Sequence, residues 1–323
     1  MKRLTLLFVG IALTMSASAQ KVLGNGQVSG SLESSSIYYA PDKKIERPED
    51  TFGSNNYIKV DYANGRFSAG IQMNAFLPAL VGYEELASGY KFYLASKYIQ
   101  WRDKNFEILV GDIFDQFGNG LIFRSFEDRQ LGLNNSLEGV RAAYNFGRYV
   151  TLKGMYGRPR LYTEYSKTWV RGADMVISIA DIIKAPVINF TLEGSYVNRF
   201  QSLSQAPEYM QQEDPSSFNP ITGETQTYLQ SYGLSPNLNM YSGRLNFGWN
   251  GLTVRGEYVH KSKDFTHPSS TSTNPGWAAL GEVGYNYKTF SVMGTFRALS
   301  NMKTAIDVFS LGTGNTINYL PAL

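Results

Sequence analysis

Strict alternation of apolar and polar residues, cut at short intervals by turn dipeptides, limits this chain to antiparallel sheet. In 241–249, Tyr241, Gly243, Leu245, Phe247 and Trp249 share one face, and Ser242, Arg244, Asn246 and Gly248 the other. A period of two belongs to a strand, not a helix. Asn250-Gly251 then separates this run from a second, in which Leu252, Val254, Gly256 and Tyr258 oppose Thr253, Arg255 and Glu257. Lys288-Thr289 divides a further pair, and Phe290, Val292, Gly294, Phe296 and Ala298 oppose Ser291, Met293, Thr295 and Arg297. Two such hairpins joined by a polar stretch, Lys263 to Pro275, have short turns at one end and a long loop at the other.

The same layout extends toward the N-terminus. Strands are expected over 26–39, 55–62, 66–76, 89–101, 105–114, 136–146, 149–157, 171–181 and 187–199, before the hairpins of 237–298. Asn64-Gly65 reads as a type I′ hairpin turn. Loops are expected over 40–52, 77–88, 115–135, 158–170, 200–236 and 263–275. One strand breaks the alternation: Lys91 and Lys97 share parity with Tyr93, Ile99 and Trp101, which predicts a bulge or register shift within 89–101.

The N-terminus has a separate role. Met1-Lys2-Arg3 is cationic, Leu4 to Leu13 is apolar, and Ala17-Ser18-Ala19 precedes Gln20. This is the pattern of a secretory signal peptide, 1–19, removed near Ala19. The apolar run is too short to span a bilayer as a helix, and no later run is long and apolar enough. Lys2 and Arg3 account for two of the formal +3, and 1–19 contains no acid, so the mature chain stands near +1. That balance excludes a general basic affinity for nucleic acid. With no cysteine, thiol catalysis and cysteine-ligated metals are excluded as well.

An exported chain with a mean hydropathy of −0.25, 14% aromatic residues and 31 glycines fits an outer-membrane β-barrel. Lipid meets one residue in two and a wet lumen meets the next, so average hydropathy stays low. The fold class is therefore all-β: an antiparallel up-and-down transmembrane barrel over 20–323, with short periplasmic turns and long extracellular loops. About thirteen strands are counted to Ala298, whereas bacterial single-chain barrels close with an even number. Either Ala305 to Leu311 supplies a closing strand, or the sequence is C-terminally truncated and complete only with about 14 or more strands. The final Tyr319-Leu320-Pro321-Ala322-Leu323 is interrupted by proline and does not read as a closing strand.

The densest chemistry lies in 111–141. Gln116-Phe117-Gly118-Asn119-Gly120-Leu121 leads to Arg124, followed by Glu127-Asp128-Arg129-Gln130-Leu131-Gly132 and Ser136-Leu137-Glu138-Gly139-Val140-Arg141. Here the chain resembles porin-like outer-membrane barrels of the Bacteroidota. The resemblance implies a fold and a location, not a substrate. Arg124, Glu127, Asp128 and Arg129 place two cations and two acids close together. Folded into the lumen, they would form a charged constriction that selects among solutes. Left outside, they would form a solvated loop held by its own ion pairs.

Lumen-facing parity falls on Arg141, Lys153, Arg199, Arg244, Arg255, Glu257, Glu282 and Arg297, with Glu193 beside them. These either favour anions or brace the inner wall across strands. His260 and His267 have no nucleophile or ligand set around them. No catalytic residue, cofactor or metal is therefore expected, and the chain is not read as an enzyme. Loop 200–236, with Pro207, Pro215, Pro220 and Pro236, could gate the pore or meet a surface partner. The leading expectation is an outer-membrane channel of a Gram-negative bacterium for small polar or anionic solutes, in contact with outer-membrane lipid. The alternative is a non-conducting barrel that anchors or assists surface lipoproteins, secretion or adhesion.

Overall fold

The computed structural model describes residues 11–21, 26–40, 50–83, 91–161, 163–265, 273–309 and 316–320. Pro41, Pro48, Glu84, Glu85, His267 and residues 310–315 and 321–323 of the sequence reading lie outside them.

One antiparallel sheet dominates. It contains β1 (Ile11–Lys21), β2 (Gln27–Tyr38), β3 (Phe52–Asn64), β4 (Phe67–Phe76), β5 (Phe92–Arg102), β6 (Phe106–Ile113), β9 (Leu137–Phe146), β10 (Val150–Leu161), β12 (Trp169–Ser178), β13 (Ile188–Phe200), β14 (Asn237–Trp249), β15 (Leu252–Phe265), β16 (Thr273–Tyr287) and β17 (Phe290–Ser300). These fourteen strands lie side by side in chain order, and the sheet is open between β1 and β17. The short strands β7 (Glu127–Asp128) and β8 (Leu133–Asn134) pair with each other, and β11 (Glu164–Tyr165) folds back on β10. Among the described residues helix is confined to short turns, such as α1 (Ile179–Ile182) between β12 and β13. The expected all-β, up-and-down antiparallel architecture is the one observed.

Residues 11–19 of the expected signal peptide, with Gln20 and Lys21, run as β1 against β2; the register shifts between Ser18 and Lys21, beside the expected cleavage point. Three details differ from the sequence reading. Ala305 to Phe309 adds no strand to the sheet; its backbone bridges Ala305 to Thr316 instead. Both ends of the polar stretch 263–275 are strand, because β15 continues to Phe265 and β16 starts at Thr273. Ser, Thr and Asn suggest a loop by composition, but the backbone ladder accepts them. Finally, the first hairpin turns at Gly65-Arg66, since Asn64 still pairs with Phe67. Asn250-Gly251 does have the two positive φ values, 43° and 84°, of a type I′ turn.

The irregularity expected in 89–101 is a β-bulge at Ala95. Ser96 faces Gln72, but Leu94 already faces the next residue, Met73. The extra residue puts Tyr93, before it, on the opposite face from the odd-numbered residues after it. Lys97, beyond the bulge, keeps the outward face of Ile99 and Trp101. It lies in a row with Asp112, Glu138 and Arg158 on the next strands. Lys97 and Arg158 both bond Glu138, at 2.7 and 2.8 Å. Beside them Tyr165 donates to Asp112 at 2.7 Å and receives Arg160 at 2.6 Å. This closed cluster lies at the loop end of the wall, at the last residues of β6.

Two faces follow from the registers. The outward face has an aromatic row Tyr196, Tyr241, His260, Trp277 across β13 to β16. Near the turns lie Trp249 and Tyr285, each eight residues further along its strand from Tyr241 and Trp277. Leu192, Leu245 and Val283 lie between, exposed. The inward face divides. Toward the turns it is polar; toward the long loops it is apolar, with Ile113, Leu137, Met155, Val170, Val197, Leu238, Met240, Val259 and Ala278 buried. Against this patch pack Phe117, Leu121, Ile122 and Phe123 of the β6–β9 connection, and Met302, Ile306 and Ile317 from beyond β17. The core of the protein is therefore inside the wall, a feature the sequence reading of a uniformly polar lumen did not contain.

The connection also shows that the sheet is curled. Arg129 bonds Glu33 on β2, and Asn119 bonds Glu257 on β15. Ten interstrand steps separate those strands, about 48 Å on a flat sheet. Ten residues reach at most about 35 Å when extended, and these turn back at the Gln116–Arg124 bridge. Only curvature brings both contacts within reach.

Candidate functional site

The candidate site is built by 114–136 and the inward rungs of the wall. Its tip is Gly118-Asn119-Gly120. Gly118 has φ +53°, and a Cβ there would come within 2.6 Å of the Arg244 side chain. Glycine thus allows the left-handed backbone and the close approach together. Asn119 places its backbone N–H 3.2 Å and its side-chain amide 2.6 Å from one carboxylate oxygen of Glu257. The other oxygen accepts from Ser242 at 2.7 Å.

The tip rests on a three-strand rung. Glu193, Arg244 and Glu257 are consecutive partners across β13, β14 and β15. Arg244 donates to Glu193 at 2.7 Å, to Ser195 at 2.6 Å and to Asp174 at 2.5 Å, and only 5% of its side chain is exposed. Beside this rung, Asp115 accepts from Arg141 at 3.0 Å and Lys153 at 2.8 Å, and Arg141 also meets Glu107. Arg199 pairs with Asp264 at 2.9 Å and donates to the carbonyl of Ala305 at 2.8 Å. Lys261 donates to the carbonyl of Lys303 at 3.0 Å. These two cations hold the segment beyond β17 against the wall.

The opposite end of the connection is fixed at β2 to β4. Arg129 meets Glu33, donates to Glu127 at 3.2 Å and Gln72 at 3.1 Å, and lies 4.7 Å from the Tyr57 ring. Gln72 in turn donates to Glu127 at 2.7 Å. Asp128 caps a turn, accepting from the backbone of Gln130 and Leu131. Tyr83 donates to the carbonyls of Arg129 and Gln130. Burial and the nearby Asp128 carboxylate push its phenol pKa up.

Of the four residues expected to act together, Glu127 and Arg129 meet, whereas Arg124 and Asp128 do not join them. Arg124 lies between the rings of Phe126 and Tyr319, at 4.7 and 4.3 Å. Of the wall residues, Arg141, Lys153, Arg199, Arg244 and Glu257 all have the partners given above. Arg255 and Glu282 form a 3.3 Å pair with the arginine side chain 61% exposed. Arg297 is exposed, opposite Leu280 on β16. The partner acids Glu33, Glu107, Asp115, Asp174 and Asp264 were not identified from sequence, although parity alone would have placed Asp174 inward.

A cavity of about 500 Å³ remains between the connection and β3 to β5, lined by Lys59, Gln72, Tyr98, Phe114, Arg124 and Arg129 among others. Among the described residues no group of His, Cys, Asp and Glu is arranged to hold a metal.

A family model described as a family of unknown function (DUF6029) matches residues 1–323. Comparison with curated proteins gave no match. Solved outer-membrane proteins share the strand pattern at low identity. OccAB2 of Acinetobacter baumannii is 11% identical, with 89% of this chain and 85% of that chain covered and a TM-score of 0.39. For a BenF-like porin of Pseudomonas fluorescens Pf-5 the values are 12%, 86%, 95% and 0.36. For OpdK of Pseudomonas aeruginosa with vanillate they are 10%, 85%, 90% and 0.28. At such scores no ligand or role passes from those proteins to this chain.

Proposed function

The chain belongs to a family of unknown function (DUF6029), and we propose that it works as an outer-membrane β-barrel through which small polar solutes pass. On this reading residues 1–19, and most of β1 with them, are removed on export, so that β2 to β17 form the mature wall; the short turns face the periplasm and the long connections face outward. The outward surface supports it. Aromatic rows eight residues apart are about 27 Å apart along a strand, or about 21 Å once a barrel strand tilts by about 40°. That matches an apolar band about 25 Å tall between two aromatic girdles.

The seating of 114–136 inside the curl carries the channel reading. It is tied to both halves of the wall, and the cavity beside Lys59, Arg124 and Arg129 lies against it. The inward cations Arg141, Lys153, Arg199 and Arg244 brace the wall, because each is bonded to a carboxylate. Purified protein in planar bilayers should give stable, ohmic conductance steps. Arg129→Ala should change their size or their anion preference. A silent bilayer with well-folded protein would refute the channel.

One observation favours the second reading. The apolar packing of 117–123 and 302–317 fills the loop end of the interior. A barrel sealed there would act as an anchor for a surface partner. Mild detergent extraction would then recover a stoichiometric companion, lost on deleting 205–232.

A further inference from the structure

One cation of the inward connection is not neutralised by the wall. Among the described residues, Arg124 has no carboxylate at ion-pair distance and its guanidinium makes no hydrogen bond; its contacts are the rings of Phe126 and Tyr319. Around it the acids of the cavity are already committed. Asp115 holds Arg141 and Lys153, and Glu127 holds Arg129 and Gln72. Lys59 has Asp61 at 3.3 Å. Arg124 therefore brings one uncompensated positive charge to the cavity.

Its position is fixed. The backbone N–H of Arg124 donates to Ile317 at 2.9 Å, its carbonyl accepts from Asn135 at 3.0 Å, and it bridges Gln116. Rings close to the guanidinium immobilise it without using its N–H donors. A fixed donor set loses little freedom when a ligand arrives. Guanidinium donors form a planar fork, and a carboxylate is the acceptor that matches a fork with two parallel hydrogen bonds. The same cavity has the rings of Phe114, Phe126 and Tyr98 in its lining, so the body of the ligand would be apolar. A volume of about 500 Å³ is that of a small-molecule site.

We infer that Arg124 and this cavity form a binding site for a small monocarboxylate with an apolar body. The inference rests on reading the connection as part of the passage, and it names the solute class of that passage. Among the described residues a second negative charge finds no free cation beside Arg124, so monoanions are preferred over dianions.

The test uses the whole protein in detergent, with hexanoate and its uncharged amide, hexanamide, as probes in calorimetry. Wild type should bind the acid at least about tenfold more tightly than the amide, the scale of a charge-assisted hydrogen-bond pair. Arg124→Gln should lose that preference, and Arg124→Lys should keep part of it. Equal binding of acid and amide by wild type would overturn the inference without any variant, as would an unchanged preference in folded Arg124→Gln. Conductance is measured separately. A conducting protein that does not distinguish acid from amide sinks this inference and leaves the channel standing. A silent protein that binds the acid does the reverse.

Discussion

Replacing Arg244 by Met tests whether the inward arginines hold the wall together. The side chain is 5% exposed and joins three strands through Asp174, Glu193 and Ser195. Methionine keeps the bulk and removes the charge, leaving two largely buried carboxylates without their cation. Breaking a buried ion pair from one side costs about 3–5 kcal/mol. The lower end applies here, because Ser195 still donates to Asp174 at 2.6 Å and Asn246 to Glu193 at 2.6 Å. With a urea dependence of about 2 kcal/mol per molar, a loss of about 3 kcal/mol lowers the unfolding midpoint by about 1.5 M. The assay is equilibrium unfolding from lipid vesicles, followed by tryptophan fluorescence. Arg255→Met is the matched control: its pair with Glu282 is 61% exposed on the arginine side and is worth well under about 1 kcal/mol. Equal losses from the two variants, or a loss below about 1 kcal/mol for Arg244→Met, would refute wall-bracing as the role of the buried arginines.

Two further variants probe the wall and the tip. Gly139→Ala would set a methyl group 2.0 Å from the carbonyl oxygen of Tyr156, and overpacking of this kind costs about 1–3 kcal/mol. Thermal unfolding at wild-type temperature would show that the two strands part freely there. Glu257→Ala removes the acceptor of both Asn119 hydrogen bonds and should release the tip, at about 2 kcal/mol. Limited proteolysis within 117–121 should accelerate, and an unchanged cleavage pattern would show that the tip is held by packing alone.

Much of the wall was legible because a strand records its two faces locally. The outward list from Tyr241 to Trp249 and the inward list containing Arg244 can be read without knowing any neighbour. Even the Ala95 bulge appeared, as a broken alternation in its strand, although Lys97 keeps the outward face. What remained hidden depends on residues distant in the chain. Nothing near Arg124 in sequence distinguishes it from Arg129; the difference is that Glu33 is within reach of one and Tyr319 lies against the other. The apolar half of the inward face was obscured for a related reason. Val197 and Val259 break the polar pattern of their strands, and they have a purpose only once 117–123 and 302–317 are seen packed inside.

The tie between Asn119 and Glu257 spans 138 positions in sequence, and that between Arg129 and Glu33 spans 96. Contacts of such separation form late, after the loop-closure entropy has been met. The connection cannot complete its bonds until β15 has joined a sheet begun at β2, so its seating and the curling of the wall are one kinetic event. Assembly then has a direction. Early strands receive the Arg129 end, the tip waits for the later strands, and the interior is filled as the wall bends around it rather than threaded in afterwards.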